Sequence, residues 1–432
     1  MNDKPESLGA SIFGVVGVLF VIGIVLLGSL SLLGRKVSQT FSNIDSGLDG
    51  GGYSAAAPPP RPVATPNHAS SPPATPAAAA EPRRVQGAVA PIKAGELNDN
   101  DDYASYVNFV ARFDPQQQAL ISERYLFHVL DGKQQPLRNA EIEVYADNQR
   151  IFQGRTYAGG TALVMPKLAG VNEQAGMLRY IVRYNQSQVE GQCKRTTCAT
   201  CLERVEVGVS DATTNPQLAL DLLFMLDTTG SMGDELANIQ GTIQSIADRI
   251  DAFTPRPSLR FGLIAYRDHG DTYVTRSYDF TADVVAFQQI LNDLSADAGG
   301  DKPEALNEAL ARAIDNLSWN SDAIRLTFLV ADAGPHDTSY RTTLTTFVER
   351  GIKIYPIGAS GTDDPAEYTF RELAQRTLGR FIFLTYQTGE SSGAPGESTT
   401  LQAGEQPYTV DRLDDLVVLM VQRELGAAVG KQ

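Results

Sequence analysis

A chain of 432 residues, 42% hydrophobic and 20% charged, is long enough for two or three domains and ordinary for globular protein with some disordered linker. Its formal net charge of −15 argues against a nucleic-acid or polyanion binder, because nothing in it makes a basic patch. The acidity suits cation binding, although most of the carboxylates are expected to be solvated surface.

Residues 1–10 form a short N-terminal tail. No charge occurs between residues 7 and 34, and residues 11–34 read as a transmembrane helix, which needs ~20 apolar residues. The run is longer than the ~7–15-residue apolar stretch of a cleaved signal, and no small-residue cleavage site follows it. The expectation is therefore a single-pass membrane protein with an uncleaved anchor. Arg35 and Lys36 after the span lean towards a cytoplasmic C-terminus. The kinds of domain that follow favour the extracytoplasmic side, periplasm or cell surface; that is the expected localisation, with the cytoplasmic side left open. Residues 35–102 are Ala/Pro-rich, as in Ala55-Ala56-Ala57-Pro58-Pro59-Pro60. Such a segment cannot bury a core and reads as a disordered, semi-stiff linker extending ~3.1 Å per residue.

Residues 103–213 read as a small antiparallel β-sandwich. Tyr125–Leu130 leads into the turn Asp131-Gly132, Ala140–Tyr145 alternates apolar with polar, and Met177–Tyr184 alternates again before Glu203–Val209. Short strands at this spacing suit a sandwich, and the stretch from Pro136 to Tyr145 resembles the immunoglobulin- or transthyretin-like modules of bacterial surface proteins. All three cysteines of the chain fall here, as Cys193, Cys198 and Cys201. In an oxidising compartment two would pair and leave an odd thiol; in a reducing one they stay free or hold zinc with a fourth ligand, for which His128 is the donor to consider.

Residues 214–432 alternate strand and helix patterns. Apolar runs at Leu218–Leu226, Leu259–Tyr266, Ala323–Ala331 and Ile352–Gly358 read as buried strands. Leu236, Ile239, Ile243, Ile246 and Ile250 recur at helical spacing, and further helices are expected at 283–294, 303–317, 343–350, 367–378 and 413–425. A hairpin strand is expected at Thr272–Phe280, and a Gly/Ser/Glu-rich surface loop at 389–406. The fold class is thus α/β, a doubly wound, mostly parallel sheet covered on both faces, preceded by the β-sandwich and the N-terminal transmembrane helix.

Three strand-to-helix loops of this region carry oxygen donors. The strand ending at Leu226 runs into Asp227-Thr228-Thr229-Gly230-Ser231-Met232, which sets Asp227, Thr229 and Ser231 at alternate positions of one turn. The second loop is Gly299-Gly300-Asp301-Lys302-Pro303-Glu304, and the third begins at Asp332. Open α/β sheets bind ligands at the carboxyl ends of their strands, and a cluster of acidic and hydroxyl oxygens suits a hard divalent cation. Asp227, Thr229, Ser231, Asp301 and Asp332 are therefore the expected metal ligands. Glu304, Asp268 and His336 lie near the same edge and read as second-layer groups; Glu304 is expected to be an exposed first-turn acid, and His269 a loop residue.

These blocks, together with Tyr266-Arg267-Asp268-His269 and Asp332-Ala333-Gly334-Pro335-His336, resemble a von Willebrand factor type A domain over about Asn215 to Gly426. The nearest subgroup reads Asp-x-Thr-Gly-Ser-Met and also occurs beside alpha-kinase domains. The resemblance implies a metal-ion-dependent adhesion site for Mg²⁺, or Mn²⁺ or Ca²⁺, and a protein partner bound through an acidic side chain at the metal. The general family pattern has Thr where this chain has Asp301. An extra carboxylate would neutralise the ion further, giving a tighter metal and a weaker grip on an acidic ligand.

The leading function is then a membrane-anchored, adhesion-type, metal-dependent protein-binding module. The alternative is a cell-envelope scaffold in which the metal stiffens loops and another surface binds the partner. An enzyme is not expected, since His-Glu-x-x-His and Walker-type motifs are missing from the sequence.

Overall fold

The computed structural model describes residues 93–171, 176–196, 198, 200–253, 256–299, 302–385 and 411–431. The expected membrane helix, nearly all of the linker, Asp301 and the 389–406 loop lie outside the described residues. Among the described residues no helix is long and apolar enough to cross a membrane. That finding corrects the expected membrane localisation, which rested on the uncharged run at 11–34.

Strand β1 (Lys93–Leu97) opens the fold and is followed by helices α1 (Tyr103–Phe113) and α2 (Pro115–Ile121). Tyr103, Tyr106, Val107 and Val110 recur at helical spacing and are the buried face of α1. Asp114 caps α2, its carboxylate accepting from the Gln117 N–H at 2.9 Å, with Pro115 in the first turn. Two expected boundaries are corrected here. The last residues assigned to the linker form a strand, and the β unit begins after a helical pair rather than at residue 103.

The middle unit contains β2 (Arg124–Asp131), β3 (Glu141–Ala146), β4 (Gln149–Arg155), β5 (Thr161–Val164), β6 (Met177–Tyr184), β7 (Ser187–Lys194) and β8 (Leu202–Val209). They make a three-stranded sheet, β5-β2-β8, and a four-stranded one, β4-β3-β6-β7. The alternation read in the sequence places Ile142, Val144 and Ala146 inward on β3, where they share one buried cluster with Phe127, Val182 and Val207 from both sheets. The expected all-antiparallel arrangement is corrected at one pair: β2 and β8 run parallel. Five strands separate them in the chain, so no hairpin constrains their direction.

The α/β unit runs β9 (Ala219–Asp227), α3 (Gly233–Asp251), β10 (Ser258–Tyr266), β11 (Thr275–Thr281), α4 (Val284–Asn292), α5 (Leu306–Asp315), β12 (Ile324–Ala331), α6 (Tyr340–Glu349), β13 (Ile352–Gly358), α7 (Asp364–Arg376), β14 (Phe381–Thr385), β15 (Asp411–Arg412) and α8 (Leu413–Ala427). Its eight-stranded sheet has the order β11-β10-β9-β12-β13-β14-β1-β15. The five strands from β10 to β14 in that order run parallel, while β11, β1 and β15 add antiparallel edges. Strand β9 reads as one apolar run because it feeds two cores: Leu222, Phe224 and Leu226 pack with α3, α4 and α8, and Leu223 and Met225 pack with α5, α6 and α7. Strand β1 belongs to this sheet, so the middle unit is an insertion between β1 and β9.

Buried ion pairs tie the N-terminal segment to the sheet. Arg371 on α7 donates to both carboxylate oxygens of Asp99, at 2.6 and 3.0 Å, and to Glu367 at 3.0 Å. The middle unit meets the amino ends of the parallel strands instead. Arg138 donates to the Gln217 carbonyl just before β9, the Asn139 amide to the Ala323 carbonyl at 3.3 Å just before β12, and Arg325 to the Asn139 side-chain oxygen.

Candidate metal centre

Strand register builds the site. Tyr266 lies opposite Asp227, and Val330 opposite Leu226, so the loops after β9, β10 and β12 leave one rim of the sheet together. Asp227 and Thr229 are fully buried and Asp332 is buried, whereas Ser231 is exposed. The Thr229 N–H and hydroxyl donate to Asp227 Oδ1 at 2.9 and 2.6 Å. Ser231 Oγ stands 3.2 Å from Thr229 Oγ1 and donates to Asp332 Oδ1 at 3.1 Å. Four of the five expected ligands therefore form one connected cluster; Asp301 lies outside the described residues.

Two glycines let the loops touch. The Gly230 N–H donates to the Ala298 carbonyl at 2.8 Å, and a Cβ at Gly230 would stand 2.5 Å from that same oxygen. Gly299 adopts a φ of 65° and presses on Thr229, where an added Cβ would stand 2.8 Å from the Thr229 Cβ. Arg267 anchors the same loop from β10, donating to the Ser295 carbonyl at 2.8 Å and to Thr272 Oγ1 at 2.9 Å.

Glu304 requires a correction. The sequence places it in an exposed first helical turn, but α5 begins at Leu306 and Glu304 is only 2% exposed. Its N–H donates to the Gly334 carbonyl at 3.0 Å, in a bridge to the Asp332 loop that turns the residue inward. Burial, reinforced by the charges of Asp227, Asp268, Asp332 and Asp271, pushes its carboxyl up to about 8. Burial likewise pushes the Asp227 carboxyl up to about 7 against the pull of its Thr229 hydrogen bonds, with Asp332 adding to the rise. Two residues given no role by the sequence reading also belong here. Tyr266 is fully buried; burial and then the charges of Asp227, Asp332 and Glu304 hold its hydroxyl far above the usual phenol range. Lys302 sets its ammonium 3.3 Å from Asp332 Oδ2 and donates to the carbonyls of Asp332, at 2.8 Å, and Gly361.

The donor chemistry fits a hard divalent cation. Asp227 Oδ2, Glu304 Oε2 and the Tyr266 hydroxyl are buried without a hydrogen-bond partner among the described residues. Leaving buried carboxylate oxygens unmatched costs about 1–3 kcal/mol each or more, and a cation removes that cost. When ionised, Asp227, Glu304 and Asp332 set three negative charges against the one positive charge of Lys302. A single divalent ion cancels the remainder, and every donor is oxygen.

Asp268 and His336, expected in a second layer, pair with each other, His336 Nε2 standing 2.5 Å from Asp268 Oδ1. The cysteines resolve into a Cys198–Cys201 disulfide and a free Cys193, whose thiol burial pushes up to about 11. The disulfide consumes two of the three thiols needed for the zinc alternative with His128.

An open, mostly parallel sheet with acidic loops gathered on its carboxyl rim places this unit in the doubly wound α/β class. Residues 221–385 match the family model of the von Willebrand factor A domain, and the chain carries such a domain. Domains of this family commonly bind divalent metal and serve as protein-interaction modules. The chain is 32% identical over 123 residues to an ariadne-like RING finger protein R811 of Acanthamoeba polyphaga mimivirus, covering 28% of this chain and 12% of that protein. It is 26% identical over 179 residues to the alpha-protein kinase vwkA of Dictyostelium discoideum, covering 40% of this chain and 28% of that protein. The matches thus span less than a third of either relative. Among solved structures, the conserved hypothetical protein BatB from Bacteroides thetaiotaomicron aligns at 13% identity with a TM-score of 0.34, over 48% of this chain and 98% of that one.

Proposed function

We propose that the von Willebrand factor A domain of this chain is a non-catalytic, divalent-metal-dependent protein-binding module. One observation carries the reading: Asp227 Oδ2, fully buried at the end of β9, has no donor facing it among the described residues. Asp227, Thr229, Ser231, Asp332 and Glu304 would hold the ion, with Asp301 as the further ligand expected from sequence. The bound cation supplies an electrophilic point to which a partner's carboxylate can bind. Ser231 marks where the cluster meets solvent, and so where that partner group would enter. Mg²⁺ is the favoured ion, with Mn²⁺ and Ca²⁺ sharing the same oxygen preference.

Calorimetric titration of the full chain with Mn²⁺ tests the site. One equivalent should bind to the parent and none to Asp227→Ala. Equal binding by both would remove the site. The alternative, a metal that only stiffens the loops, is separated by scanning immobilised acidic peptides in Mg²⁺ and in EDTA. Metal-dependent capture supports the proposal, whereas a fall in melting temperature on chelation without any metal-dependent capture supports the scaffold.

A further inference from the structure

We propose that Asp268, His269 and His336 form a second metal site, suited to a borderline ion such as Zn²⁺ and built from none of the donors of the oxygen site. The chain has four histidines, and two of them converge here from separate loops, one after β10 and one after β12. Their ring centroids lie 5.1 Å apart. His336 Nε2 is 2.5 Å and His269 Nδ1 3.6 Å from the same Asp268 oxygen, and one donor atom from each residue falls within 4.8 Å of the others. A tetrahedral zinc ion with nitrogen ligands at about 2.0–2.1 Å holds its donors roughly 3.4 Å apart. To take the ion the His336–Asp268 pair must open by about 1 Å and the widest pair close by at most about 1.4 Å, and the histidine side chains, 53% and 36% exposed, are free to make these shifts.

The surroundings argue further. His269 Nε2 lies 2.8 Å from Glu308 Oε1 on α5. A carboxylate on one ring nitrogen keeps the proton there, leaving the Nδ1 lone pair turned towards Asp268 and His336. The His336–Asp268 and His269–Glu308 contacts account for His336 Nε2 and His269 Nε2, and neither accounts for His269 Nδ1 facing the same Asp268 oxygen at 3.6 Å. Imidazole donors favour zinc over the hard ions of the oxygen cluster, so two sites on one rim would sort their ions by donor chemistry. Three protein ligands leave a fourth position open to water or to a side chain of a partner.

The test is a Co²⁺ titration of the full chain in saturating Mg²⁺, read by the visible ligand-field band of cobalt bound to nitrogen donors. One equivalent should bind to the parent, with affinity at least tenfold weaker in His269→Ala and in His336→Ala. Asp227→Ala should retain it, and Zn²⁺ should displace it. Both rings are exposed, and circular dichroism of the alanine variants verifies that they fold. Co²⁺ binding unchanged in both histidine variants would overturn the site, as would binding lost in Asp227→Ala alone, which would place the ion among the oxygen donors. Mg²⁺ binding by His336→Ala reads the oxygen site separately, so failure of either site leaves the other distinguishable.

Discussion

Replacing Asp227 with asparagine keeps the shape of the side chain and removes its charge, and the consequence should change sign with metal. Burial, with Asp332 adding to it, raises this carboxyl from its ordinary 3.8 to about 7. The folded protein then binds the proton more tightly than the unfolded chain does. The stability this contributes is fully present below the unfolded value and is lost as pH rises through about 7. At 1.36 kcal/mol per pH unit the full loss is about 4 kcal/mol. In EDTA at about pH 8 the Asp227→Asn variant should therefore resist urea better than the parent, by about 2–4 kcal/mol, whereas near pH 4 the two should coincide. Mg²⁺ reverses the order once its excess is large: at about ten-thousandfold over Kd it stabilises the parent by about 5.5 kcal/mol and the variant little. A variant less stable than the parent in EDTA at alkaline pH, or one that gains equally from Mg²⁺, would refute the reasoning.

Glu304→Gln should weaken Mn²⁺ binding about tenfold or more by calorimetry, because it removes one charge of the buried set; an unchanged Kd would exclude Glu304 from the site. Lys302→Met removes the ammonium beside Asp332 and should tighten divalent binding about three- to tenfold, with a weaker Kd counting against the charge balance. Asp301→Thr should lower metal affinity and strengthen binding of an acidic peptide to the loaded protein; equal or higher metal affinity would contradict that trade. Arg371→Met leaves Asp99 and Glu367 buried without their cation and should cost about 3–5 kcal/mol in urea unfolding. A loss under 1 kcal/mol would show that the N-terminal segment is held by something other than these pairs.

What could be read from the sequence follows from how locally each feature is encoded. Strand β9 is legible because a parallel strand covered on both faces must be apolar throughout, and Asp227 stands out by ending that run. Thr229, Ser231 and Asp332 follow from the same logic, each lying beside a strand end. Strand β1 is not legible because only five residues form it and its partner residues lie 284–292 positions away in β14 and 317–319 away in β15. The α1 stripe of Tyr103, Tyr106, Val107 and Val110 has helical spacing, but it lies directly before the strand alternation and is assigned with it to the β unit. Glu304 misled for a different reason. Pro303 suggests a helix start, yet the backbone there bridges to Pro335 before α5 begins, a contact between loops that no local pattern records. The cysteine spacing permits several pairings, and only the fold around β7 and β8 selects Cys198 with Cys201.

The placement of the inserted middle unit bears on how the rim would be used. Its hydrogen bonds run to Gln217, Ala323 and Arg325, all at the amino ends of β9 and β12. The acidic cluster sits at the carboxyl ends of the same strands. Nine residues of β9 separate the two, a distance of roughly 25–30 Å at about 3.3 Å per residue. The insertion therefore leaves the carboxyl rim uncovered, and a partner seated on Ser231 would meet the loops of the α/β unit rather than the middle unit. A substitution at the Arg138–Gln217 contact and one at Asp227 therefore act at opposite ends of β9. Sites so far apart, sharing no partner groups, are expected to act additively.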